Sequence, residues 1–398
     1  MTEFARNDPE VDNLTSGYSG RILLLIGFCS LTSNLGWLAL PPLLPTITTD
    51  LGITPIQAGI AMSLLTGLSA LWRFPGGRLA DRLNRKTVLA FSLVMWLAGF
   101  SVLSIATNYP LFLLGVVLVG TGLGAFVPAA FAQLSDLFFS KQGRAFGVNN
   151  AAFNLGGIAA SGLAIAALAI GAWRLAFLPV IVILLALAVL LHQWSREEYV
   201  VERVELNLVP TVRRLVFDPR IRTLLIVAAL FSFVWNGAVT FLPTLLEVER
   251  GLSATIAGVA FGSLFLTGVV VTPLSGAIGD RFGNLRVVFG SVIAGIAGVG
   301  LLVVAPTPAL VVLGVVTFAV GITGFWPVMT SYMMRAVPAG SKGGDYGALG
   351  AVYMGVGSIG PTYVGVVGDQ LTYTAAYVGL GGCLGLCLLL VGWLLVRA

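Results

Sequence analysis

Apolar runs of about 20 residues follow one another along this chain almost without pause, and a helix of that length crosses a hydrocarbon layer of about 30 Å. Twelve spans are predicted, at 22–46, 55–79, 87–107, 110–135, 145–168, 173–195, 222–246, 255–279, 286–306, 308–334, 346–368 and 372–396. The longest polar segment, Ser195 to Arg220, follows the sixth span and contains SREE, VERVE and VRRLVFDPR. It reads as a linker, with an interfacial amphipathic helix predicted near Val209–Val216. The pattern predicts an all-α integral membrane protein with twelve transmembrane helices. A tail (1–21), a six-helix bundle (22–195), a linker (196–221) and a second six-helix bundle (222–398) follow in order.

The second half restates the first. A shift of 198 or 199 residues aligns Trp37 through Pro45-Thr46 with Trp235 through Pro243-Thr244, and GITPIQAG (Gly52–Gly59) with GLSATIAG (Gly251–Gly258). The same shift aligns Gly77 and Asp81-Arg82 with Gly276 and Asp280-Arg281, and Phe126 and Pro128 with Phe325 and Pro327. Agreement at one offset in separate places predicts two bundles related by a pseudo-two-fold axis.

Composition bears out the medium. Of 398 residues, 57% are hydrophobic and 10% charged, against about 25% charged in soluble proteins. The net charge of +5 invites a nucleic-acid reading, which its placement rejects. With the N-terminus inside, all 22 Lys and Arg except Arg73, Arg174 and Arg250 fall in cytoplasmic segments, as the positive-inside rule requires. The expected setting is a cell membrane, with both termini cytoplasmic and no nucleic-acid partner. Residues 1–20 are polar, and the first apolar run is too long for a signal peptide, so no cleavable signal is expected. Cys29, Cys383 and Cys387 all lie within spans, which predicts neither a disulfide framework nor a metal site. The single histidine, His192, falls at the cytoplasmic end of the sixth span. Neither a phosphate-binding loop nor a catalytic-triad spacing appears, so no enzyme and no cofactor are expected.

GGRLADRLNRK (Gly76–Lys86) resembles the loop signature G-x-x-x-D-R-x-x-R-K of the major facilitator superfamily, with Gly77, Asp81, Arg82, Arg85 and Lys86 in place. GAIGDRFGNLR (Gly276–Arg286) is a weaker second copy, and GVGSIGPTYVG (Gly355–Gly365) resembles the family's glycine–proline pattern, here in span 11. The resemblance covers the whole chain and implies a secondary carrier whose two bundles rock about a midplane site. It also implies that Asp81, Arg82 and Asp136 form ion pairs that hold a gate, where the plainer alternative is that these charges only set topology.

Ser63, Thr66, Ser69, Arg73 and Gly77 recur at helical spacing on one face of span 2, and an ionisable residue in the membrane is a functional-site hypothesis by default. Arg73, Pro75, Gly77 and Asp81-Arg82 resemble the R-x-P-x-G-x-x-x-D-R pattern of the nitrate/nitrite porter branch, in which this arginine binds the anion. A guanidinium fork donates two parallel hydrogen bonds to a planar oxyanion. Asn150, Asn154 and Gly156-Gly157 resemble that branch's asparagine- and glycine-rich signature. Those porters carry a second arginine in the other half, where this chain has Thr272. One positive charge facing a mostly apolar wall suits a small organic anion as well as nitrate. Two other readings of Arg73 are a structural pair and snorkelling, because it lies about four residues, roughly 6 Å, from the predicted end of the span.

No Asp or Glu falls inside a predicted span, and all 17 lie in tails, loops or helix ends. Proton-coupled carriers commonly place a carboxylate in the membrane, so this absence favours uniport, anion exchange, or symport in which the anion travels with its own proton. Trp37 and Trp235 hold matching places in the two halves, with Asn34 and Asn236 beside them, and are candidate cavity residues; Phe325, Trp326 and Tyr353 are further aromatic candidates. The expectation is a monomer carrying a small anion with a proton or a counter-anion. The alternatives are efflux of hydrophobic compounds by proton antiport and, more remotely, a sensor or scaffold that transports nothing.

Overall fold

Thr54, Asn84, Asn108 and Ser253 each cap the helix that follows with a side-chain oxygen. The computed structural model describes residues 13–200, 202, 219–336 and 342–397, and among these it contains helices and no strands. In order they are α1 (Gly17–Trp37), α2 (Leu40–Leu51), α3 (Pro55–Arg82), α4 (Arg85–Ser104), α5 (Tyr109–Leu137), α6 (Gln142–Ala169) and, after a 3-10 turn at Trp173–Ala176, α7 (Phe177–Trp194). The second half holds α8 (Pro219–Val248), α9 (Ala254–Phe282), α10 (Asn284–Val304), α11 (Pro308–Ala336), α12 (Lys342–Gly357), α13 (Gly360–Gln370) and α14 (Tyr373–Arg397). The predicted helix near 209–216 lies outside the described residues.

All twelve predicted spans are present, two of them broken. Span one divides at Leu38-Ala39, where Pro41 and Pro42 open α2, since proline lacks an N–H and fits only the first turn. Span 11 divides ahead of Pro361 in the same way. Several other helices run past the predicted ends: α3 continues to Arg82 and α8 to Val248, whereas α4 and α10 stop short of theirs, at Ser104 and Val304. An apolar run marks the membrane, whereas a helix also carries polar residues beyond it.

The repeated loop has one job in both halves. Gly52 (φ +61°) and Gly251 (φ +64°) take the left-handed conformation that ends a helix. Thr54 and Ser253 then cap the next helix, accepting from the backbone N–H of Gln57 at 3.2 Å and of Ile256 at 3.4 Å. The packing repeats as well. A Cβ at Gly99 would meet Val119 and one at Gly298 would meet Phe318; at Gly122 it would meet Trp96 and the Ser92 carbonyl, and at Gly321 it would meet Gly295 and the Ser291 carbonyl. Each pair is one repeat apart, so α4–α5 and α10–α11 approach through the same small residues.

The two arginines that break the charge rule belong to a matched pair of staples. Asp50, at the end of α2, accepts from the Trp173 indole at 3.1 Å and pairs with Arg174 at 2.7 Å, while Arg174 Nε donates to the Ala106 carbonyl at 2.7 Å. One repeat later, Glu249 accepts from the Tyr373 and Thr374 amides, and Arg250 donates to the Val303 carbonyl at 2.7 Å. Each staple ties the first helix of its bundle to the third and the sixth. Arg174 and Arg250 serve helix ends, so topology does not decide their placement.

The bundles meet mainly toward the face that carries Gly52 and Gly251, here called the far face. Gly59 lies against the Pro361 carbonyl and Gly365 against that of Pro55. Ser63 Oγ accepts from the Thr362 amide at 2.9 Å and its hydroxyl at 2.7 Å. On the other seam Gly157 packs on Phe265, and Gly262 on Ser161. Toward the terminus-bearing face, Gly143, Gly147 and Gly276 have open space beside them.

Candidate functional site

The face of α3 that carries Arg73 is set by its opposite face. Leu64 and Leu71 are exposed, as a lipid-facing row must be, and Arg73 lies nine residues from Leu64, half a turn round at 100° per residue. Thr66 and Ser69 share the inward aspect and are buried, with the Thr66 hydroxyl returned to the Met62 carbonyl at 3.0 Å. Ser63, placed with them by the sequence, serves the seam with Thr362 instead. Because α3 continues to Arg82, Arg73 lies nine residues inside the helix end, about 14 Å at about 1.5 Å per residue. Its Nε is buried with no hydrogen-bond partner, and no ion pair engages it among the described residues.

The asparagines divide. Asn149, which the sequence reading passed over, is the buried one, and its Oδ1 accepts from Ser30 Oγ at 2.7 Å, joining α6 to α1. Asn150 is exposed, seven residues and so nearly two turns from Gly157 on the aspect that meets the second bundle. Asn154 is half-buried, returns its amide to the Asn150 carbonyl at 3.2 Å, and lies beside Gly268. Asn34 is buried at 3% exposure and internally satisfied: it donates to the Ser30 carbonyl at 2.6 Å and accepts from the Trp37 indole at 2.8 Å. Asn236 likewise donates to the Ser232 carbonyl at 2.8 Å. Asn34 and Asn236 thus orient helix and tryptophan in this state.

The second bundle holds an aromatic cluster. Phe231 of α8 stacks on Phe325 of α11 at 3.6 Å, Trp326 stands at 87° to Phe325, and Trp326 stacks on Tyr353 of α12 at 5.2 Å. Phe231 was missed from the sequence, although it lies one turn before Trp235, which is half-buried. Thr272 of α9 is half-buried, and its carbonyl accepts from Ser275. Counted from the terminus-bearing helix ends, Arg73, Asn150, Thr272, Trp326 and Tyr353 lie eight to eleven residues in. By that count they stand at similar depths along their helices.

At the loop after α3, Arg85 bridges Asp81 at 2.9 Å and Asp136 at 3.1 Å and donates to the Ala80 carbonyl. All three belong to the first bundle. Asp81 is 65% exposed on its side chain and Arg82 is exposed. Gly77 lies against Pro128 of α5. Lys86 is 6% exposed and binds the Ser195 carbonyl at 3.1 Å and the face of Tyr199 at 4.7 Å, so it anchors the start of the linker. In the second copy Arg85 becomes Asn284, which donates to the Val328 carbonyl at 3.3 Å, while Asp280 and Arg281 are exposed and Gly276 is open.

Residues 26–361 match the family model described as Major Facilitator Superfamily. The chain is 26% identical to a hexuronate transporter of Bacillus subtilis, covering 91% of each protein. It is 24% identical to a probable nitrate transporter, NarT, of Staphylococcus haemolyticus, covering 75% of each. It is 25% identical to the quinolone resistance protein NorA of Staphylococcus aureus, covering 85% of this chain and 88% of that one. Among solved structures, a bacterial homologue of the human lysosomal transporter Spinster, inward-facing and occupied, superposes with a TM-score of 0.81 at 17% identity. That match covers 96% and 97% of the two chains.

Proposed function

Since the chain belongs to the Major Facilitator Superfamily, we propose that it is a secondary carrier for a small organic or inorganic anion held by Arg73. The observation that carries this reading is the guanidinium itself, whose Nε is buried inside the membrane with no partner from the protein. A buried cation is costly unless something compensates it, and a carboxylate or planar oxyanion supplies both the charge and the hydrogen bonds. Asn150 and Asn154 add neutral donors, while Thr272, Trp326 and Tyr353 form the apolar and aromatic wall for the rest of the cargo. The relatives named for hexuronate and nitrate transport support an anion and differ in its size.

The carrier works by rocking of the two bundles. The seams on the far face are shut and the interior opens toward the termini, which by the charge distribution is the cytoplasm. In the reverse state the Asp81 carboxylate, now exposed, closes the terminus-bearing side with Arg82 and the start of α12. The anion moves as a symport or an exchange, through a monomer.

Arg73→Gln in proteoliposomes decides the reading. Loss of D-glucuronate and nitrate uptake, with partial retention in Arg73→Lys, supports it; unchanged uptake discards it. NorA's resemblance favours one second reading, efflux of hydrophobic compounds by proton antiport. It predicts that expression protects cells against quinolones and cationic dyes and that Arg73→Gln leaves the protection intact.

A further inference from the structure

At the far-face end of α8 a second polar site lies between the bundles. Glu247 is half-buried, and its Oε1 has no hydrogen-bond partner. One turn before it, Thr244 is only 5% exposed and its Oγ1 is also buried without a partner. Residues three apart on a helix share a face, so two unsatisfied oxygens lie side by side. The other faces of α8 are taken: Gly237 packs on Gly360 of α13, Ala238 accepts from Tyr377 of α14, and Phe231 stacks on α11. Glu247 lies half a turn round from Ala238, on the aspect left to α2 of the first bundle and to α9, both of which pack against α8.

We propose that Glu247, with Thr244 beside it, is a proton-binding site that loads from the far face and carries the proton that accompanies the anion. This rests on the reading of Arg73 as the anion site and adds the coupling ion to it. A carboxylate oxygen buried without a donor is costly, and protonation removes the charge. Hydronium from the far-face solution loses a proton, an O–H bond forms on the Glu247 carboxyl, and Thr244 Oγ1 accepts the hydrogen bond. One proton moves with one monoanion, and the cycle is electroneutral.

The charged groups around the site are already engaged. Asp50 on α2 is held by Trp173 and Arg174. Glu249 is held by the amides of α14, and Arg250 by the Val303 carbonyl and Thr374. Asp369 ends α13, Tyr373 opens α14 and Tyr377 donates to Ala238, while the charges of α9 and α12 lie at their opposite ends. Among the described residues no cation pairs with Glu247, and a proton neutralises it.

The test uses the full chain in liposomes with a pH-sensitive dye inside and D-glucuronate and nitrate as probes. The unaltered protein is expected to take up anion and proton together when the outside is acidic. Glu247→Gln keeps anion counterflow but loses the stimulation by the pH gradient and the dye signal; Thr244→Val weakens both, and Glu247→Asp restores them in part. Arg73→Gln separates the two readings, because it removes counterflow if the anion site is right and leaves it if that site is wrong. Infrared difference spectra of the reconstituted protein give an answer that does not depend on transport. A protonated-carboxyl band that titrates and disappears in Glu247→Gln supports the site. Absence of that band overturns the proposal, as does gradient-driven proton entry that persists in Glu247→Gln, or uptake that follows Na⁺ instead.

Discussion

The two bundles are built alike where they pack and differ where they face the interior. Gly99 and Gly298, Gly122 and Gly321, and the caps Thr54 and Ser253 repeat at one offset, against neighbours at matched positions. Arg73 and Thr272 occupy matched positions too, yet one is a guanidinium with a buried, partnerless Nε and the other a half-buried threonine. The loop copies diverge in the same sense: Arg85 holds two carboxylates, whereas its match Asn284 holds a single carbonyl. A close helix approach leaves no room for a Cβ, so the glycines repeat although the side chains around them differ. A polar side chain facing water or cargo carries no such constraint.

The sharpest way to break this comparison is at the charged half of the interior. Truncating one partner of a buried, hydrogen-bonded charge pair costs about 2–5 kcal/mol, so Arg73→Gln is expected to lower D-glucuronate uptake at low concentration at least about thirtyfold. Thr272→Ala, at the matched position, removes at most one neutral hydrogen bond of about 0.5–1.5 kcal/mol and should cost less than about tenfold in the same assay. Equal losses would mean that the two halves contribute alike.

The packing half of the comparison is tested by stability. Gly122→Leu and Gly321→Leu should each destabilise the purified protein by about 1–3 kcal/mol, the usual cost of overpacking, and by similar amounts in thermal melting. A large effect in one bundle alone would break the equivalence. The smallest effect is expected at Asp136→Asn, which removes a partly exposed ion pair with Arg85 worth about 0–1 kcal/mol. Melting should barely shift, while a change in the balance between inward- and outward-open states, read by cysteine accessibility, would give the loop a role in gating.

Much of the molecule was legible in the chain. The spans, the repeat, the family loop and the lone interior arginine follow from hydropathy, offset and spacing, because a membrane forces every crossing segment into an apolar helix. Several side-chain roles were not. Asn149 and Asn150 are adjacent and chemically identical, and only the rotation of α6 against α1 decides that Asn149 meets Ser30 while Asn150 faces the open interior. Lys86 reads as a gating residue and in this state anchors the linker through Ser195 and Tyr199. Glu247 reads as a helix end; the fold leaves it half-buried, with one carboxylate oxygen buried and partnerless.

The sequence by itself determined the helices, their two-fold repetition and the presence of one cation in the membrane, since each is a property of a segment and its period. The tertiary structure alone decided which polar groups find partners and which are left bare, as Arg73 Nε, Thr244 Oγ1 and Glu247 Oε1 are. A hydrogen bond depends on where a second helix happens to lie, and no single segment carries that information.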